Sequence, residues 1–239
     1  MSETFVISDT HIDHYKIALV CNREQFIVDN PDFDSTKPVN MKTNWPKKVL
    51  LQAHNEYIVD TWNRDASRYD KIWILGDLAW KNHTHWIHRL NGKKFFIRGN
   101  HDKMNQDALT LFQKLDGSHY QYSYYTKINK HGVMFSHCPY SSWFSSCYGS
   151  WNLHGHCHGR RKEVPWILSC DCSWDVWGRL IPWEVLEAKM LDKEKIRRAR
   201  MTDDSRIEPG ESEINFQQNI LLNSRYMNGE RDILTDMEV

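Results

Sequence analysis

Five short segments of this chain bring carboxylate, amide and imidazole side chains together at close spacing. They are Asp9-Thr10-His11, Gly76-Asp77, Gly99-Asn100-His101-Asp102, the single His137, and Gly155-His156-Cys157-His158. Aspartate, asparagine and imidazole with no thiolate form a borderline-hard donor set, suited to Mn, Fe or Zn and unlike a structural zinc site built on cysteine. Asp77 carries two oxygens, so one residue is able to bridge two ions about 3.5–4 Å apart, the spacing of hydrolytic two-metal centres. Alone, a carboxylate after a glycine reads as a helix N-cap or a turn residue. Its company points to metal chemistry instead.

Each of these segments follows an apolar run that must place it. Residues 72–75 are Ile-Trp-Ile-Leu, β-branched and aromatic, and read as a buried strand whose end is turned by Gly76. The runs at 5–8, 94–98, 133–136 and 151–154 end in the same way, just before Asp9, Asn100, His137 and His156. Strand ends gathered on one edge of a sheet are where α/β folds carry their sites.

In this order the five segments resemble the calcineurin-like metallophosphoesterase family, over residues 4–185. The Ser-Asp-Thr-His opening, Gly-Asp-Leu-Ala and the late Asp-Val-Trp-Gly are most similar to its small stand-alone bacterial and phage members. The resemblance implies an α/β fold of two facing mixed β-sheets flanked by helices, with two divalent metal ions at the strand ends, Mn2+ first and Fe, Zn or Ni as alternatives. It implies that Asp9, His11, Asp77 and His158 hold one ion, and Asp77, Asn100, His137 and His156 the other. His101 would then protonate the leaving oxygen, with Asp102 holding its tautomer. Arg98 either steadies the phosphate or pairs with a carboxylate. One departure bears on substrate: Leu78-Ala-Trp-Lys-Asn82 stands where the phosphatase branch continues with Asp-Arg-Gly, which argues against a protein phosphatase.

Phosphodiester or nucleotide hydrolysis is therefore the expected activity, phosphomonoester hydrolysis the alternative. A nuclease and a binding scaffold without chemistry rank below both. Lys and Arg total 31 and so do Asp and Glu, so no global charge draws nucleic acid or an acidic membrane. A small phosphorylated or nucleotide substrate is the expected partner. Six cysteines without a C-x-x-C pair, and an N-terminus with no basic or apolar leader, fit a reduced cytoplasmic protein. No apolar run reaches the length of a membrane span.

The 239 residues divide into a catalytic domain, 1–185, and a charged, partly helical extension, 186–239, through which an oligomer could form. Helices are expected at 14–25, 48–63, 102–115 and 183–200, with an overhanging loop at 29–48. His14 reads as a surface residue, with lining the site beside His11 as the alternative, and His83, His85 and His88 as exposed or capping. Cys157 reads as packing, and Asp171 and Asp175 as closing the fold, with a place beside the phosphate as the alternative. The serine and aromatic stretch 138–150 lies between two ligand-bearing strands, either packed on itself or forming a wall that stacks a base. Arg160-Arg161-Lys162 reads as a solvated turn close to the histidine pair, with contact to the substrate phosphate as the alternative.

Overall fold

The structure, a computed structural model, describes residues 2–21, 23 and 47–202. Its strands among those residues are β1 (Thr4–Ile7), β2 (Lys71–Ile74), β3 (Lys93–Phe96), β4 (Ser123–Ile128), β5 (His131–Ser136), β6 (Trp151–His154), β7 (Ser169–Asp171) and β8 (Ile181–Pro182). One sheet has the order β3-β2-β1-β8, parallel except for β8; the other has the order β4-β5-β6-β7, parallel except for β4. The helices are α1 (Tyr15–Val20), α2 (Lys47–Asp65), α3 (His83–Arg89), α4 (Gln106–Leu109), α5 (Trp174–Trp177) and α6 (Trp183–Thr202). Two facing mixed sheets with flanking helices are what the sequence led us to expect.

Alternation along the strands explains the layering. Val6, Trp73 and Ile97 point between the sheets, where they meet Val133, Phe135, Trp151 and Leu153, and Trp73 stacks on Phe135 with ring centroids 4.4 Å apart. Phe5, Ile7, Ile72, Ile74 and Phe96 share the opposite cluster with Ile58, Val59 and Trp62 of α2 and Trp86 and Ile87 of α3. Covered on both faces, β1 and β2 are apolar almost without interruption, as parallel strands usually are.

The two sheets are joined at the end that bears the site. The Ser8 amide donates to Cys172 O at 2.9 Å, the Trp174 amide donates to Ser8 O at 2.8 Å, and Ser8 and Ser173 form a parallel bridge. The tip of β1 thus lies against the segment that leaves β7.

Three expectations change. The helix expected over 102–115 shrinks to the single turn of α4, because the Asp102 carboxylate is tied back to the strand tips and Asn105 starts the helix by accepting from the Ala108 amide at 3.0 Å. The helix expected from residue 14 spans only α1 among the described residues. The expected boundary at 185 falls inside α6, whose Leu186 and Met190 are wholly buried between the sheets. The overhanging loop before residue 47 and the chain beyond residue 202 lie outside the described residues.

Helix α6 is also pinned by polar contacts. Lys193 is buried and its Nζ donates to the carbonyls of Val164 at 3.0 Å, Ile167 at 3.1 Å and Ser169 at 2.9 Å. Replacing it leaves those carbonyls without their donor, at a cost of about 1–3 kcal/mol. Lys193→Met is therefore expected to lower the urea midpoint of unfolding, and a chain ending before residue 193 to lose at least as much. An unchanged midpoint would show the lysine to be dispensable.

Candidate metal centre

The tips of β1, β2, β3, β5 and β6 converge, and two glycines let them. A Cβ on Gly155 would lie 1.9 Å from Ser8 Oγ and 2.1 Å from Asp9 Oδ2; one on Gly99 would lie 2.1 Å from Asp77 Oδ1. Only a residue without a side chain fits at either point. The backbone bends sharply there: Asp9, His11, Asp77, His156 and His158 all have φ between 48° and 68°. Non-glycine residues adopt that region at roughly 1–3 kcal/mol each, and it persists where the surroundings enforce it.

Hydrogen bonds supply that enforcement. The amides of Asp9 and His11 donate to Gly76 O at 3.0 Å and Asp77 O at 2.9 Å, continuing the β1–β2 pairing beyond the strands. Asp102 Oδ2 accepts from the Asp77 and Gly99 amides, each at 2.7 Å, and its Oδ1 accepts from the Leu78 amide at 3.1 Å. Asp77 Oδ1 accepts from the His101 amide and Asp9 Oδ2 from the His156 amide, at 2.9 and 2.8 Å. One oxygen of each aspartate is thereby oriented by the backbone, which leaves the other to point into the site.

Those remaining oxygens face imidazoles. Asp9 Oδ1 lies 3.7 Å from His11 Nε2 and 3.6 Å from His158 Nε2; Asp77 Oδ2 lies 3.5 Å from His11 Nε2 and 3.4 Å from His137 Nε2. His137 Nδ1–H donates to Leu75 O at 2.8 Å, which aims Nε2 at Asp77 and at Asn100 Oδ1, 2.8 Å away. The His156 ring is edge-on to His137, centroids 5.2 Å apart. Asp9 Oδ1 and His11 Nε2 are buried without a hydrogen-bond partner, although buried polar atoms nearly always have one. Asp9, His11 and His158 form one group able to hold an ion, and Asp9, Asp77 and His137 another. The residues fit divalent cations.

The charges say the same. Burial opposes ionisation of Asp9 and Asp77, but His137 and the neighbouring imidazoles outweigh it and hold both carboxylates below their ordinary range. Burial likewise opposes charge on His137, yet Asp77 and Asp9 raise it well above an ordinary imidazole. His158 is raised to about 10, burial being overcome by its hydrogen bond to Asp175 and by Asp9. Protons on these rings balance the aspartates, and a cation would take their place.

All seven expected ligands thus lie at the converging strand tips. One of the other expected roles changes, and one of two alternatives narrows. Asp102 does not touch the His101 imidazole: its oxygens are engaged by three backbone amides, so it positions the chain and not the ring. Burial and the nearby Asp77 raise Asp102 to about 7, while the Gly99 and Asp77 amides work in the opposite direction. Arg98 has no carboxylate partner among the described residues; its Nε donates to Asp102 O at 3.2 Å and its guanidinium packs over Tyr120 and Tyr122. His101 stands 5.7 Å, ring to ring, from His11. His83 bonds back to Ala79 O, and His85 and His88 are exposed, as expected.

One contributor, Arg23, carries no signal in the sequence. Arg23 is buried, pairs with both oxygens of Asp175 at 2.8 Å, and donates to the carbonyls of Thr10 at 2.7 Å and Asp9 at 2.8 Å. Asp175 in turn accepts from His158 Nδ1, so Arg23, Asp175 and His158 form a relay behind the site. Arg23 also donates to His54 Nε2 at 3.1 Å. Asp175 reads in the sequence as closing the fold or as a neighbour of the phosphate, and nothing there links it to Arg23 or His54. His14, expected at the surface, is half-buried against His11 and Trp80.

Comparison with known proteins gives the family and the fold. A family model described as calcineurin-like phosphoesterase matches residues 4–195. The protein MJ1445 of Methanocaldococcus jannaschii is 31% identical over 111 residues, 44% of this chain and 50% of its own length. The gene 66 protein of Mycobacterium phage L5 is 28% identical over 120 residues, 46% of each chain. The chain spans about half the length of the curated relatives it matches. The crystal structure of AQ665, a protein of unknown function from Aquifex aeolicus, superposes with a TM-score of 0.53 at 17% identity, covering 79% of this chain and 99% of that one, which shows a shared fold.

Two outcomes are expected. Hydrogen-bond partners behind a ligating histidine typically contribute 10–100-fold in metal affinity, so Asp175→Asn should weaken Mn2+ binding by roughly that factor in a titration, with Asp175→Glu partly restored; equal affinities would remove the relay from the site. Burial and the Arg23 guanidinium hold His54 down to about 3, against about 6.5 in an unfolded chain. Between those values the unfolded chain binds the extra proton, so this contribution is complete above pH 6.5 and is lost as pH falls towards 3. Urea midpoints at pH 7 and pH 5 should differ less for His54→Gln than for the wild type.

Proposed function

The chain belongs to the calcineurin-like phosphoesterase family, and on that premise we propose that it is a dinuclear, metal-dependent hydrolase of a phosphodiester or nucleotide. The observation that carries the proposal is the pair of buried, unpartnered ligand atoms, Asp9 Oδ1 and His11 Nε2, facing Asp77 and His158 at the meeting of strand tips.

In this reading Asp9, His11, Asp77 and His158 hold one cation and Asp77, Asn100, His137 and His156 the second, most simply Mn2+. Bound divalent cations supply Lewis acidity, activating water as the nucleophile and neutralising phosphoryl charge. The chain does the rest. Asp77 spans both positions, its orientation set by the His101 amide on Oδ1. His101 donates a proton to the leaving oxygen, from a segment that Asp102 anchors through the Gly99 amide. Arg98, held by the Asp102 carbonyl and the tyrosines, offers its guanidinium to the phosphate.

One feature of the sequence bears on the substrate class. The segment after Asp77 lacks the Asp-Arg-Gly of the phosphatase branch, which argues against a protein substrate. All six cysteines are free thiols, which favours a reducing compartment. No helix among the described residues is long and apolar enough to cross a membrane.

A substrate panel with added Mn2+, comparing monoester and diester dyes, cyclic nucleotides and short DNA, tests the assignment, and Asp77→Asn should lose both turnover and bound metal. His101→Asn should keep its metal, because seven other side chains are assigned to coordination. Its rate should fall about 10²–10⁴-fold on esters with poor leaving groups, and far less on a nitrophenyl ester, whose leaving oxygen scarcely needs a proton. Wild-type turnover that survives exhaustive chelation would sink the metal-dependent reading.

A further inference from the structure

His14 lies outside the residues assigned above, yet it is built into the site. Its Nδ1 is 3.1 Å from His11 Nδ1, and its ring is stacked on Trp80, centroids 4.3 Å apart and planes 12° apart. Two ring nitrogens at that distance share one hydrogen, so one ring donates and the other accepts.

The site decides which. His11 Nε2 is the buried, unpartnered atom that faces Asp9 and Asp77. A ligating nitrogen offers its lone pair, so the hydrogen of neutral His11 sits on Nδ1, which is the donor. His14 Nδ1 then accepts, and the hydrogen of neutral His14 sits on Nε2. That N–H has no acceptor among the described residues, and the ring is half-buried, 5.8 Å from the His101 ring. Trp80 lies beside both imidazoles, 5.5 Å from His101, and is itself 37% exposed. The plane of His14 is therefore fixed by a stack on one side and a hydrogen bond at one edge, with a donor left over at the other.

We propose that His14 is a substrate-binding residue whose Nε2–H donates to a non-bridging oxygen of the phosphoryl group, opposite His101. The proposal rests on the phosphoesterase reading above. A simpler role would be a prop that only orients His11. The two differ in what they act on: a prop changes metal affinity, whereas a donor changes the affinity of the metal-loaded protein for an oxyanion.

The test is titration of the full chain, saturated with Mn2+, with inorganic phosphate by calorimetry, alongside metal content by mass spectrometry. His14→Phe keeps a ring for Trp80 and removes both nitrogens. At saturating Mn2+ it is expected to hold as much metal as the wild type and to bind phosphate about tenfold to a hundredfold more weakly, the range of a hydrogen bond to a charged group. His14→Gln, which keeps an acceptor and a donor, should recover part of the loss. Unchanged phosphate affinity in metal-loaded His14→Phe, or a loss only in proportion to missing metal, overturns the proposal, as does a metal-loaded wild type that binds no phosphate. A wild type that binds Mn2+ and phosphate but hydrolyses no phosphoester overturns the enzymatic reading alone.

Discussion

Two carboxylates, Asp9 and Asp77, are buried together, and the side chains opposite their inward oxygens are imidazoles. Burying one uncompensated charge costs several kcal/mol after relaxation, and burying two like charges side by side costs more. The rest of the centre answers that constraint. Backbone amides take the outward oxygens, His137 and His158 with raised pKa values face the inward ones, and the donor set is one that fits divalent cations.

Holding those groups in place requires the chain to bend where residues other than glycine resist bending. Five of the proposed ligands sit in the left-handed region, and each is braced by a contact from another part of the sequence. Asp102 reaches back to the amides of the β2 tip, Arg23 grips the carbonyls of Asp9 and Thr10, and the bridge between Ser8 and Ser173 binds one sheet to the other. Strain at the site is thus supported by a rigid frame, which keeps the ligand atoms within reach of one another. The same frame explains why α6 belongs with the domain: its Lys193 closes the carbonyls of the segment that leads into β7.

What the sequence determined by itself is the part governed by local rules. Apolar runs ending in Gly-Asp, Gly-Asn-His-Asp and Gly-His-Cys-His specify buried strands with ligand-bearing tips, because hydrophobic patterning and the freedom of glycine act over a few residues. The two-sheet architecture and the seven residues that gather at its edge were legible on that basis, helped by their order along the chain. Tertiary structure decided what depends on distance in space. Asp102 reads as the partner of its neighbour His101, yet its oxygens go to amides of Asp77, Leu78 and Gly99, which also cut short the helix expected to follow. Arg23 and Asp175 lie 152 residues apart and meet only because β1 and β7 end side by side, a pairing that no spacing rule encodes. His14 looks like a surface imidazole until the turn after Asp77 brings Trp80 against it, since a stacking contact between two separate loops exists only once both loops are in place.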